Sequence, residues 1–262
     1  MENLKIAIKA AIEASKKILE IYHKDFQVFT KDDMSPLTEA DIVSHKIIKN
    51  YLKKTNIPIL SEEEIQTPYK IRKNWDLLWI IDPIDRTKEF IKKNGEFSVN
   101  IALVKESKPI LGVIVAPVLK CIYFSTIEFG SFKCENLNYS SYNINNLIKN
   151  SIKLPVTVAD RKYTVVASRS HMSKETDKYI NMLKKKHKNI SIVSKGSSLK
   201  ICLVAEGKAD SYPRFAPTME WDTAAGHAIC NGAGYKLIDY ETKKEMLYNR
   251  EELKNNWFIV NK

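Results

Sequence analysis

A chain of 262 residues is long enough for one large domain or two small ones. Its 44% hydrophobic and 28% charged content is ordinary for a soluble globular enzyme. The formal charge of +11 and pI near 9.3 come from lysines scattered along the chain, so the field favours anionic ligands, while zinc-finger, RNA-binding-sheet and basic-helix motifs are absent.

Leu4, Ile8, Ala11, Ser15, Ile18 and Tyr22 recur at helical spacing and predict an amphipathic helix of about five turns. Residues 31–36 read as a polar loop. Thr38-Glu39-Ala40-Asp41 then fits a capping box opening a second helix, whose apolar face is Ile42, Val43, Ile47, Ile48, Tyr51 and Leu52. Residues 57–60 read as a short strand ending at Ser61-Glu62-Glu63-Glu64, where Ser61 and Glu64 fit another capping box. Residues 77–81 are an apolar run closed by Asp82-Pro83, a buried strand leading into a turn, and 87–93 read as a short helix. Residues 97–104, 110–115 and 121–125 predict an antiparallel meander. The stretch 136–150, rich in Asn, Ser and Tyr, reads as a mobile loop or insertion, and the boundary between two halves, 1–135 and 136–262, is placed at its start. Beyond it, strands at 163–167 and 190–193 alternate with helices at 176–186 and 199–205, as in an α/β layer. Pro213 and Pro217 bracket an exposed turn. Trp221-Asp222-Thr223 opens a helix of small residues, with Asp222 as its N-cap.

The four cysteines, Cys121, Cys134, Cys202 and Cys230, are widely spaced and form no C-x-x-C pair, which points to a reducing, cytoplasmic compartment. The longest apolar stretch, 110–119, is too short to span a bilayer; contact with a membrane surface stays open. Glu2 and Glu13, with no arginine nearby, argue against a signal or transit peptide.

Asp82, Asp85 and the Thr87 hydroxyl crowd the carboxyl end of a buried strand. Like charges that close repel unless a proton or cation intervenes, and hard oxygen ligands suit Mg²⁺. Singly, each acid has a structural reading: Asp82 in a turn, and Asp85, Asp41 and Asp222 as helix caps. Together, Glu62, Asp82, Asp85 and Asp222 each stand at a strand end or helix start. If those termini meet, they form a carboxylate cage for two Mg²⁺ ions of the kind that clamps an in-line phosphoryl displacement.

On an acid pair after a strand (Glu62-Glu63), the run Trp79-Ile80-Ile81-Asp82-Pro83-Ile84-Asp85-Arg86-Thr87 and a late Trp221-Asp222, the chain resembles the Mg²⁺-dependent, lithium-sensitive phosphatases that include inositol monophosphatase and fructose-1,6-bisphosphatase. Within that family it is most similar to the 3'(2'),5'-bisphosphate nucleotidase branch of the CysQ type, through 60–63, 87–90, 95–103, 196–200, 212–215 and 224–228. The resemblance covers nearly the whole chain. It implies an α/β fold, a layered α/β/α/β/α sandwich of two intimately packed halves. The first half would carry most metal ligands; the second would carry the nucleotide contacts and the last ligand. It implies removal of the 3'-phosphate of adenosine 3',5'-bisphosphate to give AMP and phosphate, with 3'-phosphoadenosine 5'-phosphosulfate as a second substrate.

By that analogy Glu62, Asp82 and the carbonyl of Ile84 hold one Mg²⁺. Asp82, Asp85 and Asp222 hold a second, and a weaker third sits near Glu62. Glu62 and Thr87 position the attacking water, with Asp41 accepting a hydrogen bond from Thr87. Ser168 and His171 match a substrate-contacting loop. Gly196 offers a backbone N–H beside a helix N-terminus, Lys200 neutralises the phosphate that is not cleaved, and Arg214 adds a phosphate contact. Thr87 and Asp222 also face the substrate.

Arg86 departs from the family, which has glycine there with its N–H approaching the phosphate. Its place at a helix start predicts a negative φ, with the guanidinium near the metals, competing with Mg²⁺ for the carboxylates while attracting phosphate. No nucleic-acid partner is expected, and the chain would be a monomer or homodimer. Two other readings stand beside this one. The first is a phosphatase of the same superfamily acting on inositol monophosphate or a sugar phosphate. The second is a catalytically weakened relative that binds nucleotides or RNA through its basic surface.

Overall fold

The computed structural model describes residues 1–156, 161–167 and 173–262. Its first elements in chain order are α1 (Glu2–Tyr22), β1 (Val28–Thr30), β2 (Pro36–Thr38), α2 (Glu39–Leu52), β3 (Ile59–Ser61), α3 (Tyr69–Arg72), β4 (Leu77–Asp85) and α4 (Thr87–Ile91). Next come β5 (Ser98–Lys105), β6 (Lys108–Ala116), β7 (Cys121–Thr126), β8 (Gly130–Cys134), α5 (Ile144–Lys149) and β9 (Ile152–Lys153). The remainder is β10 (Tyr163–Val166), α6 (Lys174–Lys186), β11 (Ile190–Val193), α7 (Leu199–Ala205), β12 (Ser211–Arg214), α8 (Glu220–Gly232), β13 (Lys236–Asp239) and β14 (Phe258–Asn261).

Strands β3 to β9 lie side by side in chain order as a seven-stranded sheet, antiparallel except for the β3–β4 pair. A second sheet of five strands has the order β11-β10-β12-β14-β13. The period-2 alternation of β4 shows what holds the layers together. Trp79 and Ile81 enter a core with α1 and α2, while Leu78 and Ile80 enter a core with α7, α8 and the second sheet. Both faces of β4 are covered, which is why its sequence is an unbroken apolar run rather than an alternating one. On the far side of the second sheet, Ile180 and Leu183 of α6 pack on Val165 and Ala167. The result is the helix–sheet–helix–sheet–helix order that the resemblance implied.

The small residues of α8 have a specific use. A Cβ on Gly112 of β6 would lie 2.3 Å from the carbonyl oxygen of Ala225 and 2.9 Å from the Ala228 Cβ, so α8 rests directly on the sheet backbone. That contact sets the height of the N-terminal turn of α8 over the ends of β4 and β5.

Several local expectations change. β4 does not stop at Asp82-Pro83 but continues to Asp85 with a register shift between the two acids, the kind of irregularity where proline is tolerated. The loop 31–36 is mostly the turn of the β1–β2 hairpin. No helix starts at Ser61: it ends β3, and its hydroxyl accepts from the Glu63 N–H at 3.3 Å and meets His45 Nδ1 at 2.9 Å. The stretch 136–150 is not a loose insertion. It contains α5, buries Leu137 and Leu147, and is tied down by Tyr142 donating to Glu13 at 2.7 Å and Tyr139 donating to the Pro117 carbonyl at 3.0 Å. Pro213 is buried within β12 rather than at an exposed turn. Among the described residues no helix is long and apolar enough to cross a membrane.

Candidate active site

Three carboxylates meet where β4 ends and α8 begins. Asp82, Asp85 and Asp222 each present an oxygen, and these oxygens all lie within 4.8 Å of one another. Asp222 is the third helical residue of α8 rather than its N-cap. Its Oδ2 accepts the Met219 N–H at 2.8 Å, closing the helix end from within. Burial first, then the charge of Asp85, pushes its carboxyl up to about 8. Asp85 does not cap α4 either. Its Oδ2 accepts from Ser197 Oγ at 2.6 Å, the Ser198 N–H at 2.6 Å and Ser198 Oγ at 2.7 Å, and Asn100 Nδ2 donates to that last hydroxyl at 2.9 Å.

Asp82 is the exception in this network. It is 1% exposed, yet neither carboxylate oxygen has a hydrogen-bond partner. Burial, then the charges of Glu62, Asp85 and Asp222, holds its carboxyl well above the usual range. A buried carboxylate without a partner is expensive, and the charges that press on Asp82 are those of other acids. An all-oxygen donor set around orphaned carboxylate atoms fits a hard divalent cation such as Mg²⁺.

Glu62 leaves β3 beside this cluster, its N–H donating to the Ile81 carbonyl at 3.3 Å. Its carboxylate is paired with Lys31 of the β1–β2 turn at 3.0 Å, and the same ammonium lies 2.7 Å from Glu63. Burial alone would lower the Lys31 pKa, but the charges of Glu62 and Glu63 more than offset it and hold the ammonium above its usual range. Burial also lifts Glu63 to about 7.

Thr87 opens α4 directly after the strand end. Its Oγ1 donates to Asp41 Oδ1 at 3.0 Å, as the resemblance implied, and lies 3.3 Å from the Ile84 carbonyl. Asp41 Oδ2 simultaneously accepts the Thr38 N–H at 2.7 Å and completes the capping box of α2. Asp41 therefore caps α2 through one oxygen while the other accepts from Thr87. Burial leads the upward shift of its carboxyl.

Glu62, Asp82, Ile84, Asp85, Arg86, Thr87, Lys200, Arg214 and Asp222 all line one cavity of about 250 Å³, with Ser197, Ser198 and Tyr212 beside them. Asp41 touches it through Thr87. Gly196 is not on its lining. Its Cα packs on Glu96, where a Cβ would lie 2.7 Å from the Glu96 Cβ, and the backbone N–H that points inward from this loop is that of Ser198, already used on Asp85. Ser168 and His171 lie outside the described residues.

Lys200 is buried in the lining of the same cavity. Its Nζ donates to the Ser197 carbonyl at 2.9 Å and sits 5.9 Å from the ring centroid of Tyr212. Burial, then the charge of Arg86, lowers it to about 7. Arg214 Nη2 donates to the Pro217 carbonyl at 3.1 Å, while its buried Nε has no partner.

Arg86 overturns the expected negative φ. It is the N-cap of α4 with φ 78° and ψ 54°, in the left-handed region. The chain must reverse from the irregular end of β4 into α4 within one residue, and this conformation does it at a cost of about 1–2 kcal/mol for a side chain with a Cβ. Among the described residues its guanidinium forms no ion pair with the carboxylates, so it does not compete for them there.

Sequence reasoning missed Lys31, Ser98, Asn100, Ser197 and Ser198 as site residues. The runs 95–103 and 196–200 that carried the resemblance contain all of these but Lys31, and in the second attention went to Gly196.

Residues 1–260 match the inositol monophosphatase family. The 3'(2'),5'-bisphosphate nucleotidase CysQ of Salmonella typhimurium is 42% identical over 255 residues, covering 95% of this chain and 96% of its own. The crystal structure of CysQ from Bacteroides thetaiotaomicron superposes with a TM-score of 0.91 at 49% identity, covering 99% of this chain and 97% of that one. An inositol monophosphatase from Thermotoga maritima, at 23% identity and a TM-score of 0.73, covers 100% and 92% and shares the fold.

Proposed function

The chain belongs to the inositol monophosphatase family, and from that membership we propose that it is a Mg²⁺-dependent 3'(2'),5'-bisphosphate nucleotidase. It removes the 3'-phosphate of adenosine 3',5'-bisphosphate to give AMP and phosphate, and also acts on 3'-phosphoadenosine 5'-phosphosulfate. The observation that carries this reading is one cavity lined by both charges: the orphaned Asp82 among further carboxylates, and Lys200 with Arg214.

Glu62, Asp82 and the carbonyl of Ile84 would hold one ion, and Asp82, Asp85 and Asp222 a second, with room for a weaker third near Glu62. Mg²⁺ held there supplies electrostatic stabilisation of the charge developing on the transferred phosphoryl group. Glu62 and Thr87 orient the attacking water. Thr87 Oγ1 accepts the water's proton as its own passes to Asp41 Oδ1, 3.0 Å away. Burial makes the Asp41 carboxylate a stronger base than a surface aspartate, which favours that transfer. Lys200 and Arg214 face the phosphate that stays on the product. Ser168, His171 and Gly196 remain nucleotide contacts in this reading on their motifs alone. The halves 1–135 and 136–262 act as one unit, because Asp82 and Asp222 come from different halves. The free thiols of Cys121, Cys134, Cys202 and Cys230 support a reducing, cytoplasmic setting.

Phosphate release from adenosine 3',5'-bisphosphate, with and without Mg²⁺, tests the proposal. Mg²⁺-dependent release faster than from inositol monophosphate is expected. Faster release from inositol monophosphate would move the chain to the other branch of the family, and nucleotide binding without release would favour a weakened relative.

A further inference from the structure

We propose that Arg86 selects for a second anionic group on the substrate, its guanidinium closing, with Lys200 and Arg214, a three-cation clamp over the phosphate that is not cleaved. The inference rests on the nucleotidase reading and names what distinguishes its substrate from a simple monophosphate.

The backbone of Arg86 is what the fold needs; the side chain is not. Its carbonyl accepts the Glu89 and Phe90 N–H groups at 2.8 and 3.1 Å and starts α4. Those bonds are independent of the side chain, and a left-handed φ of 78° is a conformation that glycine or asparagine adopts at lower cost. The side chain is exposed, and among the described residues it makes no hydrogen bond or ion pair. An arginine kept in a strained conformation without packing or pairing points to a use outside the fold.

The cavity shows where that use lies. Four carboxylates line it, Glu62, Asp82, Asp85 and Asp222, and four cations, Arg86, Lys88, Lys200 and Arg214. Lys200 Nζ sits 5.9 Å from the Tyr212 ring centroid and Arg214 follows two residues later on β12, and the two cations with Tyr212 make a basic wall. Arg86, Lys200 and Arg214 thus border one cavity of about 250 Å³. Once divalent cations neutralise the carboxylates, the basic wall is unopposed, more charge than one reacting phosphate needs. A second phosphate facing that wall meets the planar fork of a guanidinium, whose geometry suits bidentate contact with phosphate oxygens.

The test compares adenosine 3',5'-bisphosphate with adenosine 3'-monophosphate, which differ only in the second phosphate. Dissociation constants are measured with Ca²⁺ replacing Mg²⁺, and kcat/KM with Mg²⁺. Arg86→Asn tolerates the left-handed φ and removes the charge; Arg86→Lys keeps the charge without the fork; Arg86→Gly relieves the strain. In Arg86→Asn and Arg86→Gly the bisphosphate should lose at least tenfold more affinity than the monophosphate, the scale of a charge-assisted hydrogen bond, and Arg86→Lys should keep part of the difference. Ligand-free Arg86→Gly should melt about 2 °C higher than the parent. A bisphosphate preference unchanged in Arg86→Asn overturns the inference, as does a parent protein that binds the two nucleotides equally. If the preference exists and is lost with Arg86 but no phosphate is released, the clamp stands and the nucleotidase reading fails instead.

Discussion

Replacing Asp82 with asparagine should stabilise the metal-free protein while abolishing its response to Mg²⁺. At 4.8 Å and an effective dielectric of 20, a charged Asp82 and a charged Asp85 repel by about 3.5 kcal/mol, and burial adds the desolvation of the Asp82 charge. Keeping an ordinary carboxyl protonated at pH 7 costs about 4 kcal/mol, from roughly 3 pH units at about 1.4 kcal/mol each. The proton is therefore the cheaper choice, and that cost is the ceiling of what Asp82 subtracts from stability. Asparagine carries none of it. It also forfeits no hydrogen bond, since neither Asp82 oxygen has one, and its amide can donate to the neighbouring acids. A net gain of about 2 kcal/mol corresponds to about 4–8 °C in Tm for a chain of this size. Because the folded-state pKa of Asp82 is raised, its penalty is absent below the unfolded value near 3.9 and grows as pH rises. The Tm difference should accordingly be small at pH 4 and large at pH 8. Saturating Mg²⁺ should raise the parent Tm, by an amount equivalent to about 2.7 kcal/mol at a hundredfold excess over Kd, and leave Asp82→Asn unmoved. Thermal denaturation at both pH values, with EDTA or Mg²⁺, reads all of this. A variant that is no more stable than the parent at pH 8 without metal, or that keeps the parent's Mg²⁺ shift, would refute the reasoning.

Thr87→Val should lower kcat by about 10²–10⁴-fold while Thr87→Ser keeps most of it; equal losses in steady-state assays would rule out the hydroxyl relay to Asp41. Lys200 sits near its transition at about pH 7, and only its charged form attracts phosphate. KM for adenosine 3',5'-bisphosphate should thus rise between pH 7 and 9, and Lys200→Ala should weaken that substrate far more than a monophosphate and flatten the profile. Gly112→Ala would drive a Cβ into the Ala225 carbonyl. It should cost about 1–3 kcal/mol in denaturant unfolding and, by lifting the helix that carries Asp222, raise the Mg²⁺ concentration for half-maximal activity.

How much of this was legible beforehand follows the range of the interactions. The capping box at Thr38 and Asp41, the apolar run of β4 and the small-residue face of α8 are local patterns, and all three form as read. The pairing of Lys31 with Glu62 and Glu63 joins a hairpin turn to a strand end about thirty residues away, and no local periodicity encodes it. The same holds for Ser197 and Ser198, which meet Asp85 more than a hundred residues away in the chain. β12 was misread because Pro213 looks like turn chemistry. In the sheet its missing N–H is harmless where the pairing with β14 allows it. The sign of φ at Arg86 was beyond any local rule, since helix-start statistics favour negative φ and only the path of the chain out of β4 demands the reverse.

Three of these costs meet at one place. The carboxylate without a partner, the left-handed arginine and the buried lysine all border the same cavity. Each lowers stability on its own, and among the described residues only the lysine has a protein partner, the Ser197 carbonyl. The layers around them hold the geometry regardless. β4 is buried on both faces, α8 rests on Gly112 without an intervening side chain, and Asp85 is fixed by three donors. A rigid surround that keeps like charges together leaves them to gain free energy by taking up protons or ligands of opposite charge. Cations would relieve the acids and an anionic substrate would relieve the basic wall. Each makes the other's binding easier, because acids and cations line one cavity. Mg²⁺ and a bisphosphate should therefore bind with positive coupling, visible as a tighter Mg²⁺ dissociation constant in the presence of nucleotide. That coupling should shrink when either Asp82 or Arg86 is neutralised. Independent binding of the two in the parent protein would mean that the walls do not act on a common ligand.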